Sequence, residues 1–516
     1  MFAQTTPDVF HGPTINWMAL SPLIVLLAGG LVLMIAAALT PKWPRNLYAL
    51  LTAAVGLASL VLAIILWHRI SVDGPTGLVG DAIHFDHFTM FFTIVISACV
   101  VLSAMLTDDF MVREDFEGAE IYALYLMSAI GAIVMAASND LIVLFLGLET
   151  MSIALYILAA SNRRKEESQE AGIKYFVLGG FSSAFLLYGV AMLYGAFGTT
   201  RLSGSDAAPG IFEKLNSSTV GIVFLGHNKA LLLAGIALVI VGLAFKVAAV
   251  PFHMWTPDVY QGSPSPTTAF MASVAKAGGF AAIIRVFVYA LANHSADWRP
   301  VIWAVAIATL VVGSILAVVQ TNVKRMLAYS SISHAGYILV GIEAAGHQGG
   351  SDGVSAVLFY VMAYAILVLG TFAIVGLVGR TGDGDHSLDA YKGLGRTRPL
   401  LGLGMTVFLL AQAGVPLTSG FFAKFGVIGA AVDRHSYALA IIAMVTSVIG
   451  AFLYLRIIVS MYMSDSDATG EAIGIPWASG MVITLAAGFT LAVGIQPSWL
   501  TTIARHAVPA FASIKP

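Results

Sequence analysis

Residues 230–255 read ALLLAGIALVIVGLAFKVAAVPFHMW: an apolar run from Ala230 to Phe245, then Lys246, then Pro251. A helix needs about 20 apolar residues to cross a hydrocarbon core of roughly 30 Å. A charge near the middle of such a helix costs about 2.5–3.5 kcal/mol on insertion scales. The proline removes a backbone donor and frees a carbonyl. Lipid tolerates that only where the backbone lies against protein or water. The stretch therefore reads as a membrane helix that is broken and that carries a cation at its break.

The whole chain agrees with that reading. Of its 516 residues, 58% are hydrophobic and only 10% charged, and the mean hydropathy is +0.88. Soluble domains carry about a quarter charged residues. The fold class expected is an all-α polytopic membrane protein; a membrane β-barrel would show short alternating segments instead. The expected spans are 17–39, 47–67, 85–106, 119–137, 141–160, 171–194, 230–250, 266–291, 301–319, 326–345, 354–377, 400–430, 437–463 and 474–494, about fourteen transmembrane helices. The stretch 400–430 is too long for one straight crossing and contains Gly414, Pro416 and Gly420, so it reads as two half-helices.

A net charge of −2 gives no reason to expect nucleic acid. The single cysteine, Cys99, excludes a disulfide framework, a thiolate zinc site and a cysteine-held iron–sulfur cluster within the chain. It reads as small apolar filler. The first residues, MFAQTTPDVFHGPTINW, lack a basic segment, so no cleavable signal peptide is expected. Orientation follows from Lys and Arg in the loops. The loops after odd-numbered helices hold Lys42, Arg45, Arg113, Arg163, Arg164, Lys165, Lys324, Arg325, Arg380, Lys392, Arg396 and Arg398; the facing side holds fewer, Arg69, Arg201, Lys214, Lys229, Arg299, Arg434, Arg505 and Lys515. This puts the odd-numbered loops in the cytoplasm and both termini outside. The longest polar stretch on that side, GRTGDGDHSLDAYKGLGRTRP at 379–399, lacks the closing glutamate of a calcium loop and reads as a solvated connector.

Seven charges remain inside the expected spans: Glu149, Lys174, Lys246, Lys276, Arg285, Lys424 and Arg456. Arg285 and Arg456 are long enough to snorkel towards an interface. Lys174 follows Glu170 by four residues, the spacing of an ordinary helix-surface pair. Glu149, in LIVLFLGLETMSIALYIL, is too deep and too short to snorkel. Lys276 is mid-span among Ala275, Ala277, Gly278 and Gly279, which leave room for water or a close helix. Lys424 follows the glycine and proline interruption of its own helix. Burial brings lysine and carboxylate pKa values towards neutrality, so such groups suit a proton relay. Metal binding suits them poorly, because protonated lysines repel cations and oxygen ligands are few. For Lys246 alone, a kink with a snorkelling lysine is the competing reading. Two interrupted helices in one chain, each with a lysine, match the pattern of an inverted-repeat transporter.

The segments FKVAAVPFHMWTPDVYQGSPSPTTAF at 245–270, RMLAYSSISHAGYILVG at 325–341, EAGIKYFVLGGFSSAF at 170–185 and GVPLTSGFFAKF at 414–425 resemble the antiporter-like subunits of respiratory NADH:quinone oxidoreductase, complex I, and among them subunit N. The resemblance runs from about residue 115 to 465. It implies two inverted five-helix repeats, helices 4–8 and 9–13, with helices 7 and 12 broken. The corresponding divisions are 1–114, a three-helix segment; 115–295, the first repeat; 296–465, the second; and 466–516, a C-terminal helix and tail. It implies relay roles for Glu149, Lys246, Lys276 and Lys424. His334 matches a polar position between two lysine sites, either as a relay or water-ordering group or as a packing histidine. Lys174 is included only as a secondary candidate. Lys424 stands where subunit M resembles a glutamate, and the chain stops at Pro516 without the long lateral helix of subunit L, so the resemblance is to N.

The resemblance further implies a translocase subunit with no cofactor or metal of its own. NADH, FMN, iron–sulfur clusters and quinone would belong to partner subunits. Those partners would include subunit M and small membrane subunits, in a bacterial inner membrane. A subunit of a multi-subunit sodium/proton antiporter or of a membrane-bound hydrogenase shares these motifs, and a non-pumping membrane scaffold is a further alternative.

Overall fold

In hydrocarbon every backbone N–H and C=O must pair within its own segment, so apolar runs become helices. The computed structural model describes residues 15–39, 44–115, 118–204, 208–216, 218–379, 382–464 and 474–509. Lys42, Arg380, Lys515 and both chain ends, on which part of the orientation argument rests, lie outside the described residues. Among the described residues twelve helices are long and apolar enough to cross a membrane. The sequence-based count of about fourteen adds two segments to these. One is the 23-residue Val323–Ala345 helix, which carries Lys324, Arg325 and Glu343. The other is the pair Pro399–Ala413 and Ser419–Asp433, each 15 residues and so short of a full crossing.

Most helix ends lie within a few residues of the sequence-based expectation; the helix that leads to Lys246 starts much earlier. The run opening at Ala230 is preceded by helix, so the segment is Ser218–Lys246. Asp86 and Asp140 cap the helices His87–Arg113 and Leu141–Ala159 by accepting backbone N–H groups. A short antiparallel hairpin, Thr76–Leu78 with Ile83–Phe85, joins the second and third helices and has no counterpart in the sequence reading.

Buried ion pairs pin the bundle at its two ends. At one end, the loop that reads as a solvated connector is instead drawn inward: Asp383 and His386 are buried. Asp383 accepts from Ser265 N at 3.0 Å, from Ser265 Oγ at 2.8 Å and from Lys324 Nζ at 3.3 Å. Lys165 Nζ donates to the Asp383 carbonyl at 2.7 Å. The buried Lys324 makes the difference, because a cation removed from water must find an anion. Burial alone would raise the Asp383 pKa, but the Lys324 ammonium, His386 and Ser265 hold the carboxyl well below the usual range.

At the other end Arg285 does not snorkel to water. It is fully buried, its Nη2 pairs with Asp86 Oδ1 at 2.8 Å, and its Nε donates to the Ala136 carbonyl at 2.9 Å. Against the cost of burial, Arg285 pulls the Asp86 carboxyl down to about 2. Burial first, and Arg285 second, lower the neighbouring His84 to about 4, so this imidazole is neutral at pH 7. Arg456 caps the end of a neighbouring helix, donating to the Val318 and Gln320 carbonyls at 3.1 and 3.0 Å.

Candidate proton-transfer site

The first broken helix runs Ser218–Lys246, unwinds, and resumes as Trp255–Gly262. Within the gap the Ala248 and Ala249 N–H groups donate back to the Phe245 and Ala244 carbonyls at 3.1 and 2.8 Å, and side chains supply further bonds. Trp255 Nε1 donates to the Phe245 carbonyl at 3.1 Å, and Val250 N donates to Thr309 Oγ1 at 3.0 Å. Lys246 is 2% exposed. Its Nζ donates to Ser152 Oγ at 2.7 Å and to Tyr175 OH at 3.4 Å. Tyr175 is held flat against Trp255, ring centroids 4.4 Å apart. Glu149 stands three residues before Ser152 on the same helix, hence on the same face. It makes no salt bridge to Lys246 but acts on it through space. Among the described residues its Oε1 is buried without a hydrogen-bond partner. A cavity of about 10 Å³ beside Lys246, lined also by Ser152, Ser182 and Ser183, has room for one water.

The next helix, Ser265–Ala290, lies wholly inside the bundle. It is wound as a π-helix over Met271–Ala275, immediately before Lys276. Such turns loosen the backbone pairing and recur at functional positions. Lys276 is 3% exposed, its Nζ donates to the Ser331 carbonyl, and the Tyr364 ring lies 5.6 Å away. Tyr364 OH donates to Ser331 Oγ at 2.8 Å. The small neighbours serve close approach: a Cβ on Gly279 would lie 2.7 Å from Val247 Cγ1 and 3.6 Å from Lys246 Cγ. The two lysines therefore share a helix contact with no room for a side chain between the backbones.

The second broken helix runs Pro399–Ala413 and resumes as Ser419–Asp433. Gly414 takes φ +90°, a conformation that only glycine adopts without strain. Lys424, 7% exposed, turns back to the break: its Nζ donates to the Ala413 carbonyl at 3.0 Å and to Ser447 Oγ at 2.9 Å, 4.8 Å from the centre of the Tyr337 ring. Between Lys276 and Lys424 lies His334. Its Nδ1 meets Tyr360 OH at 2.7 Å and its Nε2 meets Tyr454 OH at 3.3 Å. Tyr454 OH is 2.5 Å from Ser330 Oγ, which donates to Gln412 Oε1 at 3.2 Å. This network and the one around Lys276 meet at consecutive residues, Ser330 and Ser331. His334 stands within electrostatic reach of both lysines.

Of the residues singled out in the sequence, Lys246, Lys276, His334 and Lys424 are buried and Glu149 is partly so. Lys174 stands apart. Its side chain is 39% exposed and pairs with Glu170 at 2.5 Å and Asp258 at 2.7 Å, and Asp258 also holds Arg325. The sequence reading missed the hydroxyls: Ser152, Tyr175, Tyr360, Tyr364 and Tyr454, with Gln412. A signal was present for two of them, since Tyr360 and Tyr364 fall one turn apart in an apolar run. Among the described residues no group of three or more His, Cys, Asp or Glu side chains gathers as a metal site.

Residues 138–450 match the family described as NADH:quinone oxidoreductase/Mrp antiporter, transmembrane. NADH-quinone oxidoreductase subunit N of Trichlorobacter lovleyi is 39% identical over 96% of this chain and 97% of its own length. A chain of respiratory complex I from Thermus thermophilus, solved with bound aureothin, superposes with a TM-score of 0.76 at 29% identity, covering 94% of this chain and 99% of that one. A chain of the Mrp complex from a Dietzia species superposes with a TM-score of 0.82 over 97% of this chain and 98% of that one; at 22% identity this is a likeness of fold.

Proposed function

This chain belongs to the NADH:quinone oxidoreductase/Mrp antiporter family of membrane subunits, in its subunit N branch, and from that premise we infer that it translocates protons as a membrane-arm subunit of an NADH:quinone oxidoreductase. Electron transfer from NADH to quinone takes place in other subunits, which hold the FMN, the iron–sulfur clusters and the quinone. Subunit M and the small membrane subunits are its neighbours. The assembly lies in a bacterial inner membrane, with both termini of this chain on the outer side. The inverted repeats occupy 115–295 and 296–465.

One observation supports the relay: three lysines are buried inside the bundle, at 2%, 3% and 7% exposure, and the first and last of them stand at helix breaks. Glu149 controls the first. At an effective dielectric of about 20, unit charges about 4 Å apart interact by roughly 4 kcal/mol, worth about three pKa units. When Glu149 approaches Lys246, the ammonium is favoured. When it withdraws, Lys246 gives up its proton through the adjoining water site towards Lys276. From Lys276 the charge passes by Ser331, Tyr364 and the His334 network to Lys424, which releases it outward.

The test is Lys246→Ala in the assembled complex, with assembly checked on a native gel. Protons moved per NADH oxidised should fall; an unchanged ratio would sink the relay as drawn. Purified native complex should contain NADH-oxidising, flavin-bearing subunits. Sodium-dependent transport without such subunits would replace this reading with that of a sodium/proton antiporter.

A further inference from the structure

The half-helix Trp255–Gly262 has eight residues. A helix so short does not hold itself in place, since isolated helices below about 12–15 residues are marginal. Two neighbouring helices hold it. On one side stands Glu166–Phe197, which carries Lys174 and Tyr175. On the other stands Val323–Ala345, with Lys324 and Arg325 in its first turn and Ser330, Ser331 and His334 further along. Asp258 reaches both. Its Oδ2 accepts from Lys174 Nζ at 2.7 Å and its Oδ1 from Arg325 Nη1 at 2.7 Å. Lys174 is shared with Glu170 at 2.5 Å. The Arg325 Nη1 also donates to Gln261 Oε1 at 3.2 Å, and Lys324 Nζ donates to the Ser263 carbonyl at 2.6 Å, just past the half-helix. A single exposed ion pair contributes little to stability. Here one carboxylate closes two, giving one oxygen to each helix.

Trp255 comes three residues before Asp258, so the two share a face of the half-helix. That face meets consecutive residues of the next helix: Asp258 takes Lys174, and the Trp255 ring stacks on Tyr175 with centroids 4.4 Å apart and planes 10° from parallel. The Tyr175 hydroxyl accepts from Lys246 at 3.4 Å, the longer hydrogen bond of this amine. The shorter one, to Ser152 at 2.7 Å, comes from a different helix. We propose that Asp258 is a positioning residue for Lys246. By tying the half-helix to Lys174 and Arg325 it sets the Trp255 ring on Tyr175, and the ring sets the hydroxyl at Lys246. This role rests on Lys246 carrying protons. It also gives Lys174 a place: outside the buried path, its ammonium fixes Asp258 one residue away from Tyr175.

The experiment measures protons pumped per unit time by vesicles containing the complex, normalised to assembled complex on a native gel. Tyr175→Phe keeps the ring and its stacking but removes the hydroxyl, and should slow pumping about three- to tenfold, the range for one lost hydrogen bond. Asp258→Asn should slow it by a similar factor. Asp258→Glu, which keeps the charge, should restore pumping to within about twofold of the unaltered chain. Asp258→Asn combined with Tyr175→Phe should pump no more slowly than Tyr175→Phe alone, because the stacked ring then has no hydroxyl to place. A purely structural role for Asp258 would instead multiply the two losses, and that result would overturn the proposal. So would normal pumping by Asp258→Asn or by Tyr175→Phe, or no recovery with Asp258→Glu. If Asp258→Asn does not assemble, Lys174→Gln, which opens one arm of the tie, takes its place in the same comparison with Tyr175→Phe. Lys246→Ala in the same series separates this role from the relay. Normal pumping by Lys246→Ala would sink the relay itself; slow pumping there with normal pumping by Asp258→Asn would remove only the role of Asp258.

Discussion

In the first broken helix the lysine is the last residue before the gap; in the second it lies six residues into the resumed half. That difference in order changes what each amine must do. At the first gap the indole of Trp255 takes the Phe245 carbonyl, so Lys246 is left to Ser152, Tyr175 and the field of Glu149. At the second gap Lys424 itself takes the freed Ala413 carbonyl, with no carboxylate in a salt bridge to it among the described residues. The first lysine is held by hydroxyls, with a carboxylate nearby, and the second by the backbone it caps. A charge-assisted hydrogen bond is roughly twice as strong as a neutral one. Loss of a proton from Lys424 therefore loosens the break, while loss of a proton from Lys246 leaves its break closed by Trp255.

The sharpest way to break this comparison is to neutralise the counter-charge. Glu149→Gln keeps the shape and removes the field at Lys246, and proton pumping per unit time should fall tenfold or more, a barrier change of about 1.4 kcal/mol. The measurement is acid release from vesicles containing the complex, normalised to assembled complex. A fall of less than twofold would mean that Lys246 is not governed by Glu149.

The backbone at the two gaps gives the next largest contrast. Gly414 sits at φ +90° with Lys424 Cδ only 3.0 Å from where a Cβ would be, whereas Ala248 already holds φ +61° as a non-glycine residue. A left-handed conformation costs an L-residue roughly 1–2 kcal/mol. Gly414→Ala should therefore destabilise this subunit by about that much, read as a lower thermal unfolding midpoint in the purified complex. Ala248→Gly should move the midpoint little, since relief of strain offsets the added freedom of the unfolded chain. Equal effects at both positions would show that the gaps are the same device.

What the sequence disclosed follows the same division. Lys246, Lys276 and Lys424 were legible because a charge within an apolar run is conspicuous wherever the chain folds. The breaks were legible from Pro251, Gly414 and Pro416. Pairing across the chain was not. Arg285 reads as a snorkelling side chain because Asp86, its partner, is 199 residues away in the sequence. Asp383 reads as part of a solvated loop because nothing local shows that Lys324 is buried beneath it. The hydroxyls of Tyr360, Tyr364 and Tyr454 are silent for another reason: an aromatic ring in a membrane helix looks like filler until its hydroxyl is seen against His334 or Ser331. The Val323–Ala345 helix was legible as a helix although its charges lower its hydropathy, because those charges cluster at its ends, at Lys324, Arg325 and Glu343.

The smallest expected effect tests whether the Lys424 contact to the backbone is its principal one. Ser447→Ala removes the hydroxyl at 2.9 Å and leaves the Ala413 carbonyl at 3.0 Å. A single hydrogen bond contributes about 0.5–1.5 kcal/mol net, and the surviving acceptor keeps the amine from being left unsatisfied. Pumping should drop only about two- to threefold. Ser152→Ala should cost more, because Lys246 then keeps only the longer contact to Tyr175 at 3.4 Å and no backbone carbonyl stands in its place. If the two serine variants were equally impaired, Lys424 would depend on side-chain partners as Lys246 does, and the freed carbonyl would be incidental to how it holds its proton.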